Sequence, residues 1–228
     1  MRVWPVLAAL IVVSQLAAAG PIALLASDGR TPLVGAEIVA EKLDGTRIPL
    51  TVPPEGTVTV REVPLGVLKI TVVSWKGVPI NYTCVVTPTN ATVTVPRVYR
   101  LTVSVVGSRG QGLGRASVEI VYEGRSVEKG ITDEAGSYVT LLPAASYIVR
   151  AGYGGKTAEK QVDLAAPDRV TVQLDVFAEI GGIALSSGEV MGLIALAALI
   201  PLVLFVIAYE YAQWRRKRIL KVVAGPQS

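Results

Sequence analysis

The chain has 228 residues, 51% of them hydrophobic, with one cysteine, no histidine and a formal charge of +4. A lone cysteine excludes an intrachain disulfide framework, and the absence of histidine removes Ser-His and Cys-His nucleophiles and every imidazole metal ligand. Six of the 22 basic residues lie at the two ends (Arg2, Arg215, Arg216, Lys217, Arg218, Lys221) with only Glu210 of the 18 acids beside them, so the 16 basic and 17 acidic residues between nearly cancel and no nucleic-acid partner is expected.

Residues 1–19 read as a secretory signal peptide: Arg2, an apolar run from Val3 to Val13, then Ala17-Ala18-Ala19 as an A-x-A site cut after Ala19. The run is short for a membrane span, which disfavours an uncleaved anchor. No basic-Gly processing site precedes it and no cysteine lies near the cut, which disfavours pilin-type and lipoprotein signals.

From Gly20 to Asp175 short alternating runs are broken by Gly, Pro, Asp and Ser, with nothing of helical period, as in all-β sandwiches. The unit occurs twice. Gly35-Ala36-Glu37-Ile38 corresponds to Arg115-Ala116-Ser117-Val118, Glu55-Gly56-Thr57-Val58 to Ala135-Gly136-Ser137-Tyr138, and Val63-Pro64-Leu65-Gly66 to Leu142-Pro143-Ala144-Ala145. The nearly constant offset indicates a duplicated domain rather than a solenoid, giving a first sandwich over 20–97 and a second over 98–176. The spacing predicts seven strands in each: near Ile22, Ala36, Arg47, Thr57, Val67, Asn81 and Ala91 in the first, and near Tyr99, Ala116, Arg125, Ser137, Tyr147, Lys156 and Arg169 in the second. The join Val95-Pro96-Arg97-Val98-Tyr99 has no flexible spacer, so the pair should form a stiff rod.

Residues 177–189 carry Gly181, Gly182, Ser186, Ser187 and Gly188 and read as a short juxtamembrane hinge. Val190 to Tyr209 is uncharged throughout, long enough for a transmembrane helix, with Pro201 as a tolerable kink. The tail, 210–228, opens with Tyr211 and the topology anchor Trp214, Arg215, Arg216, Lys217, Arg218, which places it on the cytoplasmic side. No L-P-x-T-G precedes the helix, so the anchor should be permanent. Gly188-x-x-x-Gly192 offers a weak helix-mediated dimer contact.

Copy two resembles the carboxypeptidase regulatory-like domain, a prealbumin-like (transthyretin-like) sandwich related to bacterial surface B-repeats and starch-binding-like modules. The likeness is carried by Gly112-Leu113-Gly114-Arg115-Ala116-Ser117-Val118, Thr132-Asp133-Glu134-Ala135-Gly136-Ser137-Tyr138, and Leu142-Pro143 with Ser146-Tyr147. It departs from the family pattern at Gly112, Arg115 and Ala145. Copy one keeps Pro32-Leu33-Val34-Gly35-Ala36, Gly56 and Val63-Pro64-Leu65-Gly66, but has Val52-Pro53 in place of the Thr-Asp turn. The resemblance implies the sandwich fold and leaves function open, since such domains usually accompany an enzyme or receptor and no enzyme domain is expected here.

Residues with chemical potential each have a plainer reading. Gly110-Gln111-Gly112-Leu113-Gly114 lacks the Lys-Ser/Thr of a phosphate loop and runs into a strand. Asp133 and Glu134 offer calcium too few oxygens, and Glu37/Glu41 and Glu119/Glu123 lie on solvated strand faces. Isopeptide cross-links of the kind found in related surface domains need a first-strand lysine, which both copies lack. Cys84 falls in an apolar strand as a structural thiol. The chain's two asparagines, Asn81 and Asn90, both sit in N-x-Thr sequons and are the expected glycosylation sites. Trp75, with Tyr82 nearby, is the one candidate glycan contact. No catalytic residue, metal or cofactor is expected.

The chain therefore reads as all-β: two tandem seven-stranded prealbumin/Ig-like β-sandwiches, a signal peptide and one C-terminal transmembrane α-helix. The expected protein is a non-enzymatic type I single-pass protein of the plasma membrane, presenting its outer domains for binding, adhesion or scaffolding to an unidentified protein or glycan ligand. The alternatives are an accessory subunit of a membrane-protein complex and a membrane-anchored carbohydrate-binding module.

Overall fold

The computed structural model describes residues 20–61, 63, 67–87 and 91–223; the proposed signal peptide and Asn90 lie outside them. The first half contains β1 (Ile22–Leu25), β2 (Glu37–Lys42), β3 (Arg47–Thr51), β4 (Thr57–Val58), β5 (Leu68–Trp75), β6 (Val78–Val86) and β7 (Thr92–Thr94). They form a four-stranded sheet ordered β3-β2-β5-β6 facing a three-stranded sheet ordered β4-β1-β7. In the second half come β8 (Val98–Val106), β9 (Ser117–Tyr122), β10 (Arg125–Ile131), β11 (Ser137–Pro143), β12 (Ser146–Tyr153), β13 (Lys156–Asp163) and β14 (Asp168–Gln173). Their order, β10-β9-β12-β13 over β11-β8-β14, repeats that of the first half strand for strand. In each, the first and last strands pair in parallel (β1 with β7, β8 with β14), and the other pairings are antiparallel.

Period-two alternation builds the cores. Along β5 the buried positions are Leu68, Ile70, Val72 and Trp75; along β8 they are Val98, Leu101, Val103 and Val105. One core gathers Ile22, Leu24, Ile38, Ile70, Trp75 and Val93, the other Leu101, Val103, Ile120, Tyr147, Val149 and Val172. Tyr147 is sealed in the second, its hydroxyl donating to the Pro143 carbonyl at 2.7 Å, so burial raises the phenol's pKa well above the ordinary tyrosine value.

The segment read as a hinge folds instead. β15 (Ala178–Ile180) and β16 (Ile183–Leu185) form a hairpin turned by Gly181 and Gly182, both in the left-handed region. Sequence reasoning misses it because paired glycines mark an I′ hairpin turn as readily as a linker. α1 (Ser187–Val223) follows and runs unbroken through Pro201.

Candidate functional site

β6 is an edge strand, and it carries the sequon Asn81-Tyr82-Thr83. Its register against β5 jumps between Val72↔Tyr82 and Ser74↔Pro79, a bulge that leaves Asn81 exposed with φ +50°. Bulges on edge strands break the ladder and turn a side chain outward, and asparagine tolerates positive φ better than most residues. Tyr82 is half-buried against the first core, and Cys84 is half-buried as well, its thiol pushed up by burial.

Trp75, read as a candidate glycan contact, lies inside the first sandwich. It is only 5% exposed, belongs to the first core, donates its indole N–H to the Val34 carbonyl at 2.9 Å and has the Lys76 ammonium 4.7 Å from its ring centroid. A sugar-stacking platform needs a free aromatic face, and this ring offers none.

A polar cluster lies between the two sandwiches. Lys76 and Gly77 form the two-residue turn joining β5 to β6, with φ +53° and +73°. From that tip the Lys76 ammonium reaches into the second sandwich, pairs with the Glu128 carboxylate and donates to the Leu141 carbonyl at 3.1 Å. Glu128 also accepts from the Tyr138 hydroxyl and the Thr140 hydroxyl, each at 2.8 Å. A bulge in β10 explains its position. The register passes from Ser126↔Val121 to Glu128↔Ile120, so the extra residue Val127 sets Glu128 opposite the fully buried Ile120 and hence on the core side of its sheet.

Electrostatics follow from that placement. Burial pushes the Glu128 carboxyl up, but hydrogen bonds from Lys76, Tyr138 and Thr140 outweigh it and hold the group below the ordinary glutamate value. The Tyr138 phenol is pushed up to about 12, by burial first and then by its bond to the Glu128 carboxylate. Apolar contacts seal the same seam: Val78, from β6, is buried in the second core, while Leu141, from β11, packs against the first. Ser27 donates to the Val98 carbonyl beside it.

At the opposite end of the second sandwich the hairpin and the start of α1 are tied to the β12–β13 turn. The Tyr153 hydroxyl donates to Glu179 at 2.5 Å, and Ala184 is buried against Gly154, where a side-chain methyl would collide with the Ala184 Cβ. Lys156 bonds both carboxylate oxygens of Glu189 at 3.1 Å. Ser186 and Glu189 cap the helix reciprocally, each backbone N–H donating to the other's side chain. Beyond this root, α1 carries within residues 187–215 an 18-residue apolar stretch of mean hydropathy 3.0, none of it buried, long and apolar enough to cross a membrane. Trp214 and Arg215 are exposed at its far end, Trp214 tilted against Tyr211 at 6.2 Å. The side chains of Arg216, Lys217 and Arg218 lie outside the described residues. Gly188 and Gly192 face open space.

Three other carboxylates read as candidates in the sequence have local duties. Asp133 accepts the backbone N–H groups of Ala135 and Ser137 at 3.0 and 2.8 Å, closing the β10–β11 turn. Glu119 is paired with Lys129, and Glu41 with Lys69 and Arg47. Among the described residues no three Asp, Glu, Cys or His side chains gather as a metal site. Within the Gly-rich run Gly112 serves packing: a Cβ there would collide with the Ala135 carbonyl oxygen.

No protein-family model matches the chain, and no curated protein matches it. Among solved structures it is similar to the Bacillus anthracis TIE protein, at 16% identity and TM-score 0.31 over 67% of this chain and 32% of that one. It is also similar to a DUF3823 family protein from Parabacteroides merdae (16% identity, TM-score 0.30, 34% of this chain and 45% of that one). A third is GBS52, the minor pilin of Streptococcus agalactiae (13% identity, TM-score 0.31, 71% of this chain and 98% of that one). The chain thus spans less than half the length of the first two.

Proposed function

We propose that the chain is a non-enzymatic, type I single-pass protein of the plasma membrane that holds a two-sandwich rod outside the cell for adhesion or scaffolding. The observation that carries this reading is the contrast between the two ends of the second sandwich. One end is joined to the first sandwich through the Lys76–Glu128 cluster and shared apolar contacts, and the other roots an exposed apolar helix through Lys156–Glu189. A stiff spacer fixed to an anchor suits presentation of a distal surface. In this reading residues 1–19 are a signal peptide, the sandwiches are relatives of carboxypeptidase regulatory-like domains, and Asn81 and Asn90 carry glycans.

The test is twofold. In sealed vesicles with the sandwiches outward, protease should remove them and leave a protected helix-and-tail fragment; complete digestion, or complete protection, would overturn the topology. After gentle detergent extraction the protein should run alone or with substoichiometric partners. Stoichiometric co-purification of membrane proteins would favour the accessory-subunit reading instead.

A further inference from the structure

The β15–β16 hairpin has two unlike faces. Directly opposed residues of an antiparallel pair share a face and successive residues alternate. The pair Glu179↔Ala184 therefore faces the sandwich, Glu179 bonded to Tyr153 and Ala184 buried on Gly154. The pairs Ala178↔Leu185 and Ile180↔Ile183 face the other way, and all four side chains are apolar. Ile180 and Ile183 are 60% and 65% exposed. Gly182, at the tip, lines an open cleft with Arg115, Ser117 and Gly152, so the hairpin lies across the base of the sandwich.

Resting on the reading that α1 spans a bilayer, we infer that this hairpin is a membrane-contacting foot whose apolar face enters the headgroup layer of the outer leaflet. Chain distances bring the hairpin close to the bilayer surface. The uncharged stretch begins at Val190, three residues after α1 starts, so at 1.5 Å per residue the helix start is about 4–5 Å above the hydrocarbon edge. The polar layer on each side of a bilayer is about 5–7 Å deep. Leu185 is two residues before the helix, so the base of the hairpin lies within that layer or no more than about 7 Å beyond it. A short element with one apolar and one polar face suits that boundary. A protein occupant is disfavoured by size, because four small-to-medium side chains fall far short of the roughly 1,000 Å² that a specific interface buries.

The full chain, carrying Cys84→Ser and a single nitroxide-labelled cysteine, is reconstituted in phosphatidylcholine vesicles. The labels are introduced by Ile180→Cys, Ile183→Cys, Leu199→Cys or Val139→Cys, and collision with oxygen and with a water-soluble nickel chelate is compared. The expected oxygen-to-nickel ratio at positions 180 and 183 is severalfold above that at 139, on the exposed rod, and below that at 199, in mid-helix. A ratio at 180 and 183 equal to that at 139, with 199 deep in lipid, overturns the foot and leaves the spanning helix standing. A water-accessible label at 199 overturns both. Spin–spin broadening at 183 that vanishes on dilution with unlabelled chain would make a second copy the occupant and overturn the lipid assignment. As a check independent of labelling, Ile183→Trp emission should be quenched by brominated lipid to a greater extent than the wild-type signal.

Discussion

A non-glycine residue in left-handed backbone costs about 1–2 kcal/mol, so Lys76 at φ +53° gives up stability that its side chain must return. It does so through the Glu128 pair and the Leu141 carbonyl, in a site where both charged side chains are mostly shielded. Lys76→Met should destabilise the protein by about 1–3 kcal/mol, because Glu128 is left charged with only hydroxyl donors, and should loosen the seam. Chemical denaturation and small-angle scattering of the detergent-solubilised chain measure the two effects. The Glu128 value is lower folded than unfolded, so its contribution is complete above the ordinary glutamate range and disappears as pH falls through the depressed value. Wild type should accordingly lose thermal stability in acid more steeply than Glu128→Gln, in melting curves between neutral pH and about pH 3. Trp75→Ala should cost about 3–5 kcal/mol, as a core truncation does, whereas loss of sugar binding at unchanged stability would restore the stacking role. None of the Lys76 chemistry is legible in the sequence. Strict alternation cannot show that Val127 bulges, and without the bulge Glu128 would face away from Tyr138 and Thr140.

At the level of single elements the strands are the most legible feature, because side-chain alternation and the Gly, Pro and Asp breaks directly encode half-buried ribbons. β6 begins at Val78 rather than near Asn81, since Lys76-Gly77 closes a tight hairpin whose only sequence mark is one glycine. Residues 177–189 mislead for a related reason: Ile180 and Ile183 flank the paired glycines, and the hairpin docks through Glu179 on Tyr153 and Ala184 on Gly154, contacts that no motif marks. Gly136 combines φ +77° with backbone atoms of Leu113 and Val105 2.6 Å from where a Cβ would stand. Gly136→Ala should therefore lower stability by about 2–4 kcal/mol, readable as a drop in melting temperature. In a host with an N-glycosylation system, Asn81→Gln should remove one glycan's worth of mass, because the bulge holds this side chain out of the ladder. An unchanged electrophoretic mobility would count against modification at that site.

Across the whole molecule the duplication is legible because the landmark glycines recur at a nearly fixed offset, and the same strand order in both halves gives that repeat its physical meaning. How the halves meet is not legible: the join has no spacer, but the contact is made by a hairpin tip and by Val78, residues with no motif of their own. The parallel pairing of first and last strands has a mechanical consequence. If the N-terminal end is held while the helix stays in place, tension enters each sandwich along β1 and β7, or β8 and β14, pulling neighbouring strands in opposite directions. Their bridging bonds are then loaded in shear and must yield together instead of unzipping one by one. β1 and β7 share three paired positions among the described residues, β8 and β14 six. Single-molecule pulling should therefore show two rupture events, the N-terminal sandwich giving way at the lower force, so that under load the protein lengthens at its N-terminal end while the helix-proximal sandwich holds.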